Sequence, residues 1–487
     1  MSPERPAALF DRESEWHDLA SFAGSTRPGP RLGIVHGRRR QGKSTILRGL
    51  VAATHGIYHQ ALEEERRPAL ERIGALLAES GGIPGLTVGV PDWMTALHAL
   101  IDQAGPERPI VIDELPYLLA RSPELPSVIQ QVFDDARAGA GPSFRLLLCG
   151  SAISVMSSLL TGQHALRGRA VLDLVIRPFD FRTAARFWGI EDPEVAFQVH
   201  AITGGTPGYR ELFDGQVPVG RDGLRTWLTA TALNPAHAMF HEAEYLLTED
   251  PAMTDRALYQ SVLAAIAGGR STRSAVAAAL GRDDSSLRHP LMLLERAAFI
   301  RRDEDLLRQK RPLLRIADPY LRFHHAVVRP DLARFEARAL DQAWPRAQER
   351  LASNVFGPHF EQLAREWTQT FASVRTLGGA PGRVGFAQLN DRARRSTLEV
   401  DVLALDDTGD HPRVLAMGEA KGGTTARTMR DVSDLDHARV LLGGAADTAG
   451  ARLLLFSRSG FDAEVRRAAA ARTDLELIDL ERLYGGD

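Results

Sequence analysis

The sequence predicts a multidomain α/β chain, and three observations carry that expectation. Apolar strands alternate with helical segments through residues 31–178, which argues for a parallel sheet covered on both faces. Between Ala257 and Ile316 the pattern changes to three short helices and two short strands with a charged tip between them. From Leu351 a shorter strand–helix alternation returns and runs to the end. A chain of 487 residues fits roughly three domains at about 150 residues each. The expected divisions are 1–180 for the first sheet domain, 181–250 for a helical lid, 251–330 for a winged helix-turn-helix, 331–350 for a charged helical linker and 351–487 for a second α/β domain.

In order, the first domain opens on a charged helix that ends in the turn Gly24–Pro30, followed by the strand Leu32–Val35 and a glycine-bounded loop. A helix from about Ser44 to Ala53, the strand Ile57–Ala61 and a helix with apolar positions Leu70, Ile73, Leu76 and Leu77 come next. Ile110–Ile112 and Arg145–Cys149 read as buried strands, and Pro178 marks the exit from the sheet. Residues 180–245 are helical by period, interrupted at Gly204-Gly205-Thr206-Pro207. In the winged region one helix ends at Gly268–Gly269, a second covers Arg273–Leu280 and a third covers Asp284–Ala297, with strands near Phe299–Arg301 and Leu313–Ile316. The last domain reads as a helix, a Gly/Pro-rich loop over Gly378–Gly385, and strands Thr397–Leu405, Val414–Gly418, Arg452–Phe456 and Leu475–Leu480 with helices between the later ones.

Composition narrows the function classes. The formal net charge is -3, so affinity for nucleic acid has to come from local basic patches. Cys149 is the only cysteine, which excludes intramolecular disulfides and thiolate metal clusters and fits a reducing cytoplasm. No apolar run reaches the roughly 18 residues of a membrane span, and Met1–Phe10 lacks the pattern of a secretory signal, so a cytoplasmic protein without a membrane partner is expected. Of the 59 basic residues only Lys43, Lys310 and Lys421 are lysine. In a chain that replaces lysine wherever arginine serves, the survivors mark places that need a compact, flexible ammonium. Lys43 and Lys421 each fall in a chemical motif.

The first motif is Gly37-Arg-Arg-Arg-Gln41-Gly42-Lys43-Ser44, which fits G-x-x-x-x-G-K-[ST] between an apolar strand and a helix. Its glycines let backbone amides wrap phosphates, and the helix N-terminus adds donors and a favourable dipole. Lys43 is expected to reach the β- and γ-phosphates of ATP and Ser44 to bind Mg²⁺, with Gly37, Gln41, Gly42 and Thr45 completing the nucleotide contacts. Pro109-Ile-Val-Ile-Asp113-Glu114 supplies the second half: Asp113 for the magnesium, directly or through water, and Glu114 to polarise the attacking water.

Together with these motifs, Phe10-Asp-Arg12-Glu13-Ser-Glu15, Leu148-Cys-Gly150-Ser151, Gly168-Arg169 and Gly204-Gly205-Thr206-Pro207 resemble the archaeal-type AAA+/STAND P-loop ATPases, in particular the group that adds a winged helix and a C-terminal nuclease-like domain (the DUF234-type ATPases). The resemblance runs over nearly the whole chain. It implies that Arg12 and Glu13 lie near the adenine pocket, that Ser151 is the polar sensor beside the acidic strand, and that Arg169 senses the γ-phosphate in cis or from a neighbouring copy. Members often carry an aromatic residue before Gly168; this chain has Arg167, which leaves either arginine as the sensor.

Arg282, Arg288, Arg296, Arg301 and Arg302 gather around the third winged helix and its wing, with Arg308, Lys310 and Arg311 at the tip. They suit DNA phosphates, and Ser285, Ser286 and His289 suit a groove. Asp283, Asp284, Asp303, Glu304 and Asp305 dilute that charge, so a protein partner is the alternative occupant. Asp318-Pro-Tyr-Leu-Arg-Phe323 resembles the family's segment after the wing, and its aromatic residues are expected in the core.

The second lysine motif is Glu399-Val-Asp401 followed by Gly418-Glu419-Ala-Lys421. Side chains two apart on a strand share a face, so Glu419 and Lys421 point together, and a hairpin places Asp401 beside them. Asp401 and Glu419 are candidate ligands for a second Mg²⁺ or Mn²⁺, with Lys421 to position water or stabilise charge and Glu361 as a further carboxylate. The arrangement resembles the restriction-endonuclease-like PD-(D/E)xK core. The fold expected overall is therefore a P-loop NTPase sheet with helical lid, a winged helix-turn-helix and a PD-(D/E)xK nuclease-like domain. Its function is expected to be ATP hydrolysis whose nucleotide state controls a DNA-acting nuclease. The alternative is a non-cleaving switch or DNA-binding regulator, and self-association follows if the sensing arginine acts in trans.

Overall fold

The structure, a computed structural model, describes residues 3–82, 85, 87–162, 164–248, 250–251, 253–407, 412–444 and 446–487, with the side chains of 309–311 outside that description. The expected contributions of the Lys310 and Arg311 side chains therefore lie outside the described residues. The chain divides into two compact units, Met1–Pro178 with Thr206–Gly208 and Tyr245–Thr254, and Phe179–Gly205 with Tyr209–Glu244 and Asp255–Asp487. The expected lid is thus divided between the two units rather than forming a block of its own.

In the first unit, β1 (Arg31–His36), β2 (Ile57–Gln60), β3 (Pro109–Asp113), β4 (Arg145–Gly150) and β5 (Ala170–Val175) form a parallel sheet in the order β2-β3-β4-β1-β5. Every residue of β3 and β4 is buried, because helices cover both faces. Side chains alternate between faces, so Val35, Val111 and Leu147 pack with Trp16, Leu19, Ile46 and Leu50 on one side. Ile34, Ile110, Ile112 and Leu148 pack with Ile73, Leu97, Leu100 and Phe133 on the other.

Two elements here go beyond the sequence expectation. The helix Trp93–Ala104 begins at Asp92, whose carboxylate accepts from the Thr95 amide at 2.8 Å, and it buries Trp93, Ala96, Leu97, Leu100, Ile101 and Ala104 at helical spacing. β5 is an edge strand of which only Leu174 is buried, although its sequence Ala170-Val-Leu-Asp-Leu-Val175 is largely apolar.

The second unit begins with helices Phe181–Trp188 and Pro193–Thr203. The segment expected to be winged, called the winged segment below by that expectation, consists of helices Arg256–Ala267 and Arg273–Ala279, a tight turn Asp284–Leu287, helix Arg288–Arg296, and antiparallel strands β6 (Ile300–Asp305) and β7 (Arg308–Ile316). The third helix was expected from Asp284. It starts four residues later because Pro290 has no amide to donate and its ring blocks the turn before it. Beyond helices Leu340–Arg350 and Gly357–Thr370 come β8 (Arg383–Asp391), β9 (Ser396–Asp406), β10 (Arg413–Lys421), β11 (Arg452–Ser457) and β12 (Leu475–Ile478). β8 starts inside the segment expected to be loop: its Gly385 and Asn390 hide a strand that pairs antiparallel with β9.

The seven strands of this unit form one sheet in the order β12-β11-β10-β9-β8-β6-β7. The wing and the C-terminal strands join where Asp305 of β6 meets Phe386 of β8, and Asp305 Oδ2 accepts from the Gln388 amide at 3.0 Å. A separation at the 331–350 linker describes the chain order, but the sheet itself is continuous.

Within the same unit, Gly205 closes on the backbone of Phe179, whose amide donates to the Gly205 carbonyl at 2.8 Å. A Cβ at Gly205 would lie 1.8 Å from the Phe179 carbonyl oxygen. Gly205→Ala is expected to lower stability by roughly 3 kcal/mol, the upper end for forced overpacking, read as a lower urea midpoint. A midpoint equal to wild type contradicts that close approach.

Candidate functional site

β1 delivers the chain into the loop Gly37–Ser44, and the helix Lys43–Thr54 leaves it. Gly42 sits at φ +88°, a conformation open to glycine, and precedes a helix N-terminus that has no side-chain cap. The first amides of that helix are therefore left for an anion. Lys43 is buried and its Nζ donates to the Arg38 carbonyl at 3.0 Å, within the loop. Arg12, in the left-handed region at φ +71°, reaches the loop from the N-terminal segment: one guanidinium nitrogen donates to the Gln41 carbonyl at 3.2 Å and another to Glu15 at 2.8 Å. Thr45 is exposed on the first turn of the helix.

Asp113 is the centre of the arrangement. It is 0% exposed at the end of β3, and its Oδ2 accepts from Ser44 Oγ at 2.6 Å and from the Tyr58 hydroxyl at 2.5 Å. Its Oδ1 accepts from the Glu114 amide at 2.9 Å. Burial pushes the Asp113 pKa up, but hydrogen bonds from Cys149, Ser44, Tyr58 and the Glu114 amide outweigh it and hold the carboxylate below its ordinary value. The same interaction, with burial, pushes the Tyr58 hydroxyl and the Cys149 thiol up. Ser44 and Asp113 together present the oxygen donors that Mg²⁺ takes.

Glu114 follows in the left-handed region, φ +54° and ψ +42°, a conformation that costs a non-glycine residue about 1–2 kcal/mol. Its carboxylate accepts from Ser151 Oγ at 2.9 Å and from the Ser151 amide at 3.3 Å. Ser151 stands directly beyond β4, the parallel neighbour of β3, where the sequence expectation put it. Sequence reasoning missed Tyr58; its place as the second residue of a four-residue strand beside β3 gave no motif to read.

Arg169 is not brought to this cluster. Its guanidinium makes a two-pronged ion pair with Asp134 at 2.9 and 2.6 Å, and Nη1 donates to the Ala165 carbonyl at 2.9 Å. Arg167 donates to the Gly162 carbonyl at 2.9 Å. Among the described residues no hydrogen bond or ion pair joins either arginine to the loop.

The second motif assembles in the other unit. β9 and β10 are antiparallel with Val402 opposite Gly418, which sets Asp401 next to Glu419. Asp401 is buried and its Oδ2 accepts from the Ala420 amide at 2.8 Å. Lys421 Nζ lies 2.8 Å from Glu419 Oε1 and 3.9 Å from Asp401 Oδ2. Burial pushes Glu419 and Asp401 up, and burial with the charge of Asp401 pushes Glu361 up to about 7. Burial alone lowers Lys421, but the facing carboxylates outweigh it, so Lys421 is kept as an ammonium. Carboxyls crowded and buried in this way favour a proton or a cation. Among the described residues no group of three or more His, Cys, Asp or Glu side chains is arranged as a metal cage. A cation here rests on Asp401 and Glu419, with Glu361 as an electrostatic neighbour.

In the winged segment several expected DNA-facing arginines have internal partners. Arg301 pairs with Asp303 at 2.7 Å, Arg302 with Glu295 at 2.7 Å, and Arg308 donates to Asn390 at 3.4 Å. Tyr320 and Phe323 are fully buried, as their reading as core required. No helix among the described residues is long and apolar enough to cross a membrane.

No protein-family model matches the chain. An uncharacterized protein of Methanocaldococcus jannaschii is 24% identical over 378 residues, spanning 77% of this chain and 79% of its own length. Among solved structures, the Walker-type ATPase of Pyrococcus abyssi overlays with a TM-score of 0.47 at 20% identity, covering 66% of this chain and 98% of that one. The ORC2 protein of Aeropyrum pernix, solved with ADPNP and ADP, overlays with a TM-score of 0.43 at 16% identity, covering 69% and 96%. Both likenesses are distant in sequence and in overlay.

The lowered pKa of Asp113 has a definite sign. Its hydrogen bonds stabilise the fold above the unfolded carboxyl value, about 3.9, and that contribution is lost as pH falls through the lower folded value. Tyr58→Phe is expected to cost about 1.5–3 kcal/mol at pH 7, the worth of a hydrogen bond to a charged group, with the gap to wild type closing below about pH 4. Denaturant titrations at both pH values check it, and a gap independent of pH contradicts the assignment.

Proposed function

We propose that the chain binds and hydrolyses ATP at Gly37–Ser44, and that its nucleotide state governs a DNA-acting, metal-dependent nuclease-like site at Asp401, Glu419 and Lys421. The observation that carries the first part is the convergence on one buried carboxylate: Asp113 ties the loop serine, and the next residue, Glu114, is held by Ser151. Lys43 neutralises phosphate charge, and Gly37, Gln41 and Gly42 shape the amide cradle with Arg12 bracing the Gln41 carbonyl. Ser44 and Asp113 are the residues that hold Mg²⁺, whose chemistry is to neutralise charge on the β- and γ-phosphates. Glu114 takes the role of aligning the attacking water once Ser151 releases it. Arg169, or Arg167 in its place, stabilises the γ-phosphate only from another copy or after leaving its present partner.

For the second part, the paired carboxylates at the β9–β10 hairpin beside the ammonium of Lys421 support phosphodiester chemistry. Asp401 and Glu419 hold the divalent cation, which supplies Lewis acidity, and Lys421 offsets charge developing on the phosphate. One observation favours a second reading, a non-cleaving switch or DNA-binding regulator: no three-ligand metal group exists among the described residues.

One set of incubations separates these readings. Purified protein is mixed with single- or double-stranded DNA, with and without ATP and Mn²⁺, and both phosphate release and strand scission are scored. Lys43→Ala and Glu114→Gln are each expected to lower ATP turnover at least about 100-fold, with Glu114→Gln still retaining nucleotide. Turnover of Lys43→Ala at the wild-type rate ends the ATPase assignment. Lys421→Ala is expected to remove scission and leave phosphate release intact. DNA-stimulated phosphate release with no scission by wild type selects the regulator.

A further inference from the structure

Beside the second motif, and sharing Glu361 with it, the second unit contains a cavity of about 190 Å³ walled by Arg301, Arg315, Arg322, Arg365, Asn354 and Glu361, the last a carboxyl that burial and Asp401 push up to about 7. One water needs only about 10–15 Å³ on the same measure, so the space admits a multi-atom ligand. Arg322 is 5% exposed; its Nη2 donates to the Ile316 carbonyl at 3.1 Å and to Gln362 at 3.0 Å, while its Nη1 has no hydrogen-bond partner. Burial, with Arg301 and Arg315 close by, pushes Arg322 down to about 9, which still leaves it a cation at neutral pH. Arg365 Nη1 donates to the Asp401 carbonyl at 2.8 Å, and Arg315 is 4.0 Å from Glu399.

The acids near these guanidinium groups are Asp303, Asp401, Glu361 and Glu399, and they do not absorb the positive charge evenly. Asp303 is engaged by Arg301, Asp401 turns its carboxylate to the Ala420 amide and Lys421, and Arg315 meets Glu399 only at the limit of an ion pair. Arg322 has Asp318 and Asp303 only as electrostatic neighbours. A buried guanidinium N–H without an acceptor is costly and calls for one. Several planar, always-charged forks around one space match the tetrahedral oxygens of a phosphate group better than any single carboxylate.

We propose that this cavity is a phosphate-binding site, separate from the Gly37–Ser44 loop, that takes one phosphate of a nucleic-acid backbone or of a free phosphate-bearing small molecule. Binding there does not require Asp401 and Glu419 to cut, although the cavity shares Glu361 with that motif.

The test uses the full chain with its loop filled by a non-hydrolysable ATP analogue and Mg²⁺. Inorganic phosphate is titrated against chloride at equal ionic strength, followed by calorimetry and thermal midpoint. Wild type is expected to bind phosphate specifically, and Arg315→Gln to bind about tenfold more weakly. Arg315→Lys is expected to recover part of the loss, with ATP turnover unchanged in both variants. Arg315 is about a third exposed, so these variants should fold; Arg322→Lys, measured alongside, should show the same loss. A second arm adds a labelled oligonucleotide. If phosphate displaces it and Arg315→Gln weakens it, the ligand is a backbone phosphate; if its affinity is unchanged while phosphate binding falls, the ligand is a small molecule. Equal responses to phosphate and chloride in wild type, or phosphate binding by Arg315→Gln equal to wild type, overturn the proposal.

Discussion

The first unit depends on one buried carboxylate. Asp113 has no exposure, yet it stays ionised because donors from three directions converge on it: the loop helix through Ser44, the neighbouring strand through Tyr58, and its own chain through the Glu114 amide. An unpaired charge in that position would destabilise the sheet; a fully bonded one fixes the register of β2, β3 and the loop relative to each other. The amide that bonds Asp113 Oδ1 belongs to Glu114, which itself stands in the left-handed region.

Much of this was legible in the residues. The Gly37–Ser44 spacing and the apolar strand before Asp113 follow from local rules of strand period and helix-terminus chemistry, whereas Ser151 stands out only through the family resemblance. What was not legible depends on neighbours. Tyr58 acquires its role from β2 lying against β3. β8 contains glycine and asparagine that lower its strand propensity, and only pairing with β9 makes it a strand. The partner of Arg169 is likewise a tertiary fact: Asp134 lies on a helix 35 residues earlier, and nothing in the local sequence announces the pairing.

Lysine scarcity proved informative for geometry at two positions. Lys43 folds back onto the loop carbonyl of Arg38, and Lys421 sits between Glu419 and Asp401. Each is a single compact charge in a crowded oxygen environment, where a planar fork would need more room. Among the arginines of the second unit, Arg472 shows the converse, with its fork spread over Asp436 and Asp474. The two lysine sites also differ in electrostatic state. Around Asp113 donors outnumber charges and the acid is held low, whereas around Asp401 acids crowd one another and are pushed up. In the first centre the donors hold a single acid ionised, and in the second Lys421 is the ammonium that faces the crowded acids.

The shared sheet of the second unit has a geometric consequence. β6 is flanked by β7 on one side and β8 on the other, so the wing cannot swing away from the β9–β10 hairpin without breaking strand pairing. β6 and β7 therefore keep a constant offset from the strands that carry Asp401 and Glu419, like marks on one ruler. β7 and β12 form the two outer edges of that sheet.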